Sequence, residues 1–163
     1  ARVRLLQYCA SKRLMLMLLA NGTCALASGM GLRVNSKTFT SASLCWVLPP
    51  RSEVITACAL SPLSHMLAVG TQCGHVHLYA VHADLSYLKL RTLSLSEWGY
   101  TMGSDSGSVA TIQWTGDSKA LAVLWQKAGL SVWSAFGCRL MYYSEGKRRN
   151  AAAATTTTTM NPQ

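Results

Sequence analysis

Short apolar runs alternate with tight-turn residues along the chain, a pattern typical of antiparallel strands. Residues 14–20 are Leu-Met-Leu-Met-Leu-Leu-Ala, the turn pair Asn21-Gly22 follows, and Thr23–Ser28 forms a second apolar segment. Asn-Gly between two apolar runs is the strongest short indication of a β-hairpin, because a type I′ turn needs positive φ at both central positions. We therefore predict a hairpin over residues 14–28.

The same segment also fits a signal peptide. Four basic residues stand among the first 13, and the small-residue sequence Ala25-Leu26-Ala27 follows the apolar run, as in a cleavable leader. The run is too short for a transmembrane helix, which needs about 20 apolar residues. We favour the hairpin and keep a leader over residues 1–27 as the alternative.

Two later segments repeat one another. Residues 57–70, ACALSPLSHMLAVG, match residues 111–124, TIQWTGDSKALAVL, with Leu-Ala-Val in register. Each continues through a glycine-containing turn into a strand that ends in an aromatic residue, Tyr79 in the first copy and Trp133 in the second. The unit is therefore strand, tight turn, strand, glycine turn, strand, which is the order expected of a propeller blade.

The first unit is less complete, since residues 14–28 match only the second and third strands of a blade. A fourth strand fits the later units at residues 88–95 and 138–143. We therefore predict an all-β fold: a partial β-propeller of WD-repeat-like, four-stranded antiparallel blades, with a disordered C-terminal tail. Blades hide their apolar faces by stacking on one another, so inner strands such as 14–20 and 120–125 should be covered on both faces. Small residues would let blades approach, and aromatic residues would fill the space between them (Ala68, Gly70 and Ala122; Tyr79 and Trp133).

These units divide the chain into four parts. We predict a partial blade and connecting loop over residues 1–52, a blade with an inter-blade insertion over 53–107, a blade over 108–145, and a low-complexity tail over 146–163. The tail contains four alanines followed by five threonines, a composition that cannot build a core. Propellers close with roughly 4–8 blades, so we interpret the chain as a fragment.

Composition and charge add less specific information. Half of the residues are hydrophobic and 13% are charged, which argues against global disorder. The net charge of +9 favours acidic partners, although the one tight basic run, Lys147-Arg148-Arg149, is interpreted as a solvated flank of the tail.

The six cysteines form no CxxC pair and lie mostly in apolar runs. We interpret them as small core residues of a protein in a reducing, cytosolic compartment.

Residues that could carry chemistry are few. The sequence contains no P-loop, dinucleotide fingerprint or nucleophile elbow. His75 and His77 share one face of a predicted strand, with Cys73 nearby, but a metal site needs more ligands. We interpret them as polar strand positions and predict no metal, no cofactor and no catalytic residue. Asp117, within Thr-Gly-Asp-Ser, is assigned a turn role.

Trp98 and Tyr100 are the candidate partner contacts. They lie in the Ser96–Ser106 insertion, and insertions in propellers fall on one face, which is often the binding face. Two aromatic residues in a loop either plug the base of a blade or form a hot spot for a partner. We favour the plug and keep the hot spot as the alternative.

The third unit and the segment before it resemble a known family. Residues 67–79 and 121–134 look like the middle of WD repeats, with Val-Trp-Ser at 132–134 where many repeats carry Val-Trp-Asp. Residues 14–143 resemble the Ric-one (ribosome control protein one) family, in particular its plant and algal branch, and the specific part of the resemblance is residues 91–141. The sequence segments that carry this resemblance are Trp98-Gly99-Tyr100, Gln113-Trp114-Thr115, Gly129-Leu130-Ser131-Val132-Trp133-Ser134 and Gly137-Cys138-Arg139-Leu140-Met141.

This family supplies the large propeller subunit of the Golgi Rab-GTPase exchange complex. The resemblance therefore implies a guanine-nucleotide exchange factor subunit that works through contact surfaces and has no catalytic site of its own in this chain. The implied partners are an Rgp-one-like subunit, a Rab-six-type GTPase and the peripheral Golgi membrane, in endosome-to-Golgi retrograde transport. No small-molecule substrate is expected and nucleic acid is not favoured. The alternative is a generic WD-repeat scaffold whose positive charge serves RNA or another acidic partner.

Overall fold

The computed structural model describes residues 2–28, 44–47, 53–95 and 106–143. Within these ranges all regular structure is β, and three four-stranded antiparallel sheets are present, each a meander whose strands pair in chain order. The prediction of an all-β fold with blade-like sheets is confirmed. No helix in the described ranges has the length and apolar character needed to cross a membrane. The basic run at 147–149 and the predicted disordered tail lie outside the described residues.

The three sheets, named blades 1 to 3, share one plan. Blade 1 consists of β1 (Val3–Cys9), β2 (Leu14–Leu19), β3 (Cys24–Ser28) and β4 (Leu44–Val47). Blade 2 consists of β5 (Ile55–Leu60), β6 (Met66–Thr71), β7 (Val76–Val81) and β8 (Tyr87–Leu93). Blade 3 consists of β9 (Val109–Trp114), β10 (Ala120–Trp125), β11 (Gly129–Ser134) and β12 (Arg139–Tyr143). The sequence pattern located only β2 and β3 of blade 1, and β1 and β4 complete that sheet.

The hairpin predicted around Asn21-Gly22 is confirmed, but its turn type differs from the prediction. Only Gly22 has positive φ, at 78°, and its N–H donates to the Leu19 carbonyl oxygen. This is a turn closed by one left-handed glycine, where a type I′ turn would need two positive-φ residues. The Asn21 side-chain oxygen instead accepts hydrogen bonds from the N–H and the hydroxyl of Thr23. Gly22 therefore closes the turn through its backbone, and Asn21 stabilises it through its side chain.

Two apolar cores hold the blades together. One joins blades 1 and 2 and includes Leu16, Leu26, Leu60, Leu67 and Tyr79. The other joins blades 2 and 3 and includes Val76, Leu78, Leu121, Trp125 and Trp133. Blade 2 is therefore covered on both faces, and the predicted gap-filling by Tyr79 and Trp133 is confirmed, since both are buried.

Blades 1 and 3 are covered on one face only by the described residues. Burial alternates along β2 and β10, whereas the apolar runs at 14–20 and 120–125 were expected to be covered on both faces. The alternation arises because, within the described ranges, each of these sheets packs against blade 2 alone. The outer face of blade 3 carries the cross-strand rows Ala122–Val132–Met141 and Leu124–Leu130–Tyr143, and Leu124, Met141 and Tyr143 are exposed.

Side-chain hydrogen bonds to backbone groups also join neighbouring blades. The Gln7 amide of blade 1 donates to the Leu60 carbonyl oxygen at 2.9 Å and accepts from the Leu60 N–H at 2.8 Å. Between blades 2 and 3, the Trp114 Nε1–H donates to the Ala59 carbonyl oxygen at 3.1 Å, and the Trp125 Nε1–H donates to the Gly74 carbonyl oxygen at 2.8 Å. Each of these bonds satisfies a buried or part-buried backbone group, so they fix the register of one blade on the next.

Candidate functional site

A polar cluster of Glu53, His75 and His77 lies at one end of blade 2, on the side that faces blade 1. In a meander the first and third strands run in the same direction, so the residues that precede β5 and β7 meet at one end of the sheet. His75 and His77 are two residues apart and share a face with Tyr79, which belongs to the core between blades 1 and 2. Backbone bonds hold the same corner, because the Gln72 N–H donates to the Val54 carbonyl oxygen at 2.9 Å.

The three side chains approach one another closely. His75 Nδ1 lies 3.1 Å from Glu53 Oε1 and 3.2 Å from Oε2, and His77 Nε2 lies 3.7 Å from Glu53 Oε2. The two imidazole rings stack with centroids 5.8 Å apart. The side chains of Glu53 and His77 are 9% and 4% exposed, while that of His75 is 27% exposed. The cluster is therefore a buried corner that opens to solvent at His75.

The environment of the cluster sets its charge state. Burial lowers the pKa of His77 to about 4, and the nearby Lys89 acts in the same direction. The His77 ring is therefore neutral at neutral pH. Burial of Glu53 disfavours its charged form, but the Thr71 hydroxyl and the His75 ring favour it more strongly, so the pKa of the Glu53 carboxyl lies below its ordinary value. The Glu53 carboxylate therefore lies beside the neutral imidazole of His77.

Sequence reasoning found the histidine pair and missed its third member. Cys73, which the sequence placed nearby, is exposed on the β6–β7 turn. It does not belong to the cluster of Glu53, His75 and His77. Glu53 lies 22 residues before His75 in the sequence. Glu53 precedes β5, just as His75 precedes β7. The shared strand direction of the predicted blade could have revealed it, because both positions had to fall at the same end of one sheet.

A second feature is a basic cleft between blades 1 and 2, with a volume of about 370 Å³. Its lining includes Lys12 and Arg13 from the β1–β2 turn and His65 and His82 from the two turns of blade 2 at that end. Lys12 Nζ donates to the Ser61 carbonyl oxygen at 3.3 Å, which anchors its side chain across the blade boundary. The cleft offers cationic and aromatic nitrogen groups to an anionic ligand.

The structure describes some of the remaining predicted residues and not others. Asp117 is confirmed as a turn residue, because its Oδ1 accepts from the Thr115 hydroxyl at 2.6 Å and from the Lys119 N–H at 3.1 Å. Trp98 and Tyr100 lie outside the described residues, so their roles as plug or hot spot stay predictions. Among the cysteines, Cys9, Cys24 and Cys58 are buried free thiols of the core, as their apolar surroundings predicted.

The chain is similar in sequence to two known guanine nucleotide exchange factor subunits. No protein-family model matches the chain. In an alignment 124 residues long that covers 70% of this chain, it is 29% identical to the guanine nucleotide exchange factor subunit RIC1 of Mus musculus and 27% identical to that of Homo sapiens. The matched part is 9% of the length of each relative, so the chain spans less than a tenth of the proteins it matches. The similarity agrees with the resemblance to the Ric-one family, while the link to its plant and algal branch stays a prediction.

Proposed function

We propose that this chain is a propeller segment of a guanine-nucleotide exchange factor subunit of the Ric-one type. The observation that carries the proposal is the similarity to RIC1 over 124 residues, in a chain whose described residues form three stacked blades. Blades of this kind present rigid surfaces to partners. In this proposal the segment contributes contact surface and no acid–base chemistry, and the segment is a part of a larger propeller.

The finer proposal concerns the partners. An Rgp-one-like subunit would bind the propeller, a Rab-six-type GTPase would be the protein acted on, and the complex would work at the cytoplasmic face of the Golgi in retrograde transport. The exposed apolar rows on the outer face of blade 3 support a larger assembly, because stacked blades normally cover such faces. An additional blade of the same subunit fits these rows, since they have the strand spacing and apolar character of the faces that blade 2 covers.

A chimaera of the relative tests this proposal directly. The segment of mouse RIC1 that matches this chain would be replaced by the corresponding residues of this chain. We expect the chimaera to co-purify with an Rgp-one-like subunit and to accelerate release of a fluorescent guanine nucleotide from a Rab-six-type GTPase. A matched chimaera carrying Trp133→Asp, which places a charge in the core between blades 2 and 3, serves as the misfolded control. A folded chimaera that binds the partner subunit but gives only the spontaneous release rate would contradict the exchange function.

The basic cleft favours a second candidate function, a scaffold that binds an acidic partner such as RNA. The relevant observation is the grouping of Lys12, Arg13, His65 and His82 around one opening. Binding through phosphate contacts weakens steeply as salt rises. Measuring single-stranded RNA binding to the 163-residue chain at increasing salt, with Lys12→Glu/Arg13→Glu as the matched variant, separates the candidates. Steep salt dependence that the charge reversal removes would favour the scaffold, and no RNA binding at low salt would exclude it.

A further inference from the structure

The cluster of Glu53, His75 and His77 has the ligand set of a transition-metal site. One carboxylate and two imidazoles each offer a ligand atom, and these atoms lie within 4.8 Å of one another. Zn²⁺ bound tetrahedrally at about 2.0–2.1 Å places its ligand atoms roughly 3.3–3.4 Å apart. Measured from the same oxygen, Glu53 Oε2, the separations are 3.2 Å to His75 Nδ1 and 3.7 Å to His77 Nε2, on either side of that value, while the separation between the two histidine ligand atoms is at most 4.8 Å. Rotation of the side chains that draws the two imidazole nitrogens together would bring the three atoms onto one ion.

The second imidazole gives an independent indication of a ligand. His77 Nε2 is buried and has no hydrogen-bond partner among the residues that the structure describes, and it faces the Glu53 carboxylate at 3.7 Å. A buried polar atom without a partner destabilises the fold, because it has lost its hydrogen bonds to water and gained none in the protein. A cation between the nitrogen and the carboxylate would satisfy both groups.

The other ring nitrogen of His77 already has the contact expected of a metal ligand. His77 Nδ1 lies 3.0 Å from the Thr92 hydroxyl oxygen. When Nδ1–H donates to this oxygen, the lone pair of the neutral ring is on Nε2 and points toward the cluster. Metal-bound histidines are commonly oriented by such a bond from the second nitrogen.

We propose that Glu53, His75 and His77 bind a divalent transition-metal ion of the zinc class at the end of blade 2. Imidazole and carboxylate ligands suit zinc, iron, cobalt or nickel, whereas calcium and magnesium prefer oxygen ligands alone. The ion would enter past the part-exposed His75 ring and would keep at least one coordination position for an outside ligand. It would tie the segment that precedes β5 to β7, at the corner where the chain passes into blade 2.

The rival explanation is an ion pair of Glu53 with a protonated His75, with ordered water bonded to His77. Both explanations use the same residues, so the measurement has to be metal binding itself. The 163-residue chain would be stripped with a chelator and titrated with Zn²⁺ in competition with a chromophoric chelator. We expect one equivalent of Zn²⁺ to bind, and we expect Glu53→Gln and His77→Asn each to weaken the affinity at least tenfold.

Two matched variants separate this site from adventitious binding. His82→Asn removes an exposed imidazole just beyond the opposite end of β7, and Cys73→Ser removes the exposed thiol of the β6–β7 turn. Both should leave Zn²⁺ affinity unchanged, and a Co²⁺ complex of the chain should show no thiolate charge-transfer band. Loss of binding in Cys73→Ser would overturn the proposed ligand set.

A folding control keeps the test decisive. Glu53→Gln is nearly isosteric, so its circular dichroism without metal should match that of the original chain. Zn²⁺ should raise the melting temperature of the original chain and not that of Glu53→Gln, because a ligand stabilises only the state that binds it. A folded original chain that binds no more Zn²⁺ than His77→Asn would overturn the proposal and establish the ion pair with water.

Discussion

Close approach of blades 2 and 3 depends on the missing side chain of Gly70. A Cβ atom at this position would lie 2.5 Å from Val109 Cγ1 and 2.6 Å from Val109 Cβ. Both atoms belong to the first strand of blade 3, so a methyl group would push the two sheets apart. Gly70 was predicted from sequence as a small residue at a blade contact, and that prediction is confirmed.

Gly70→Ala should therefore destabilise the chain. Overpacking of a well-packed contact typically costs about 1–3 kcal/mol, and the gain from replacing a strand glycine offsets only part of this. Urea denaturation would measure the loss. Gly116→Ala is the matched control, because a Cβ atom there meets nothing within 4 Å and the free energy of unfolding should change little. Equal effects of the two substitutions would show that backbone entropy, and not the blade contact, determines the role of Gly70.

At the same scale, Glu53 could be placed beside the histidines only through the predicted blade topology, and not through local periodicity. His75 and His77 were visible as a pair because residues two apart on a strand share a face. The partner of that pair precedes a different strand, and its approach depends on the pairing of β5, β6 and β7. The unsatisfied Nε2 of His77 has no sequence counterpart at all, since it depends on rotamers and local burial.

Trp133 is the buried aromatic residue that β11 contributes to the core between blades 2 and 3. It is 4% exposed, it belongs to the core between blades 2 and 3, and its Nε1–H donates to the Ser131 hydroxyl at 2.6 Å. Trp133→Ala should cost about 3–5 kcal/mol, the usual range for truncating a buried aromatic residue. The measurement is chemical denaturation followed by far-ultraviolet circular dichroism.

An exposed aromatic residue on the following turn supplies the control for this substitution. Phe136 is 78% exposed, so Phe136→Ala removes a similar ring at a site that packs against little. Phe136→Ala should change the free energy of unfolding by no more than about 0.5 kcal/mol, as ordinary surface substitutions do. A loss for Trp133→Ala that is no larger than the loss for Phe136→Ala would contradict the assignment of Trp133 to the core.

The strands of blades 2 and 3 were easier to predict than those of blade 1. The two later units could be compared with each other, and both contain long apolar runs between turn residues. In contrast, β1 mixes apolar residues with Arg4 and Gln7, and Gln7 faces a neighbouring blade because its amide pairs with the Leu60 backbone. A polar residue that bonds across a blade boundary breaks the apolar pattern, so the strand could not be recognised from periodicity alone.

For the molecule as a whole, the two cores share one sheet. Some residues of β6 and β7 belong to the core between blades 1 and 2, and others belong to the core between blades 2 and 3. The outer blades each contribute to one core only, and blade 3 leaves Leu124, Met141 and Tyr143 exposed on its other face. Repeat architectures gain stability from neighbour contacts, so blade 2 should be the most stable part of the described structure.

Hydrogen exchange measured by mass spectrometry tests this order. Amides of β6 and β7 become exposed only when both cores open, so their exchange should be slower than that of β2 or β10, whose backbone bonds lie next to a single core. Trp133→Ala should accelerate exchange in blade 3 strongly and in blade 2 partly, while β2 of blade 1 stays unchanged, because that blade shares no core with Trp133. Uniform exchange across the three blades, or equal acceleration in β2 and β10, would show that the blades unfold as one cooperative unit and that the two cores are not energetically separable.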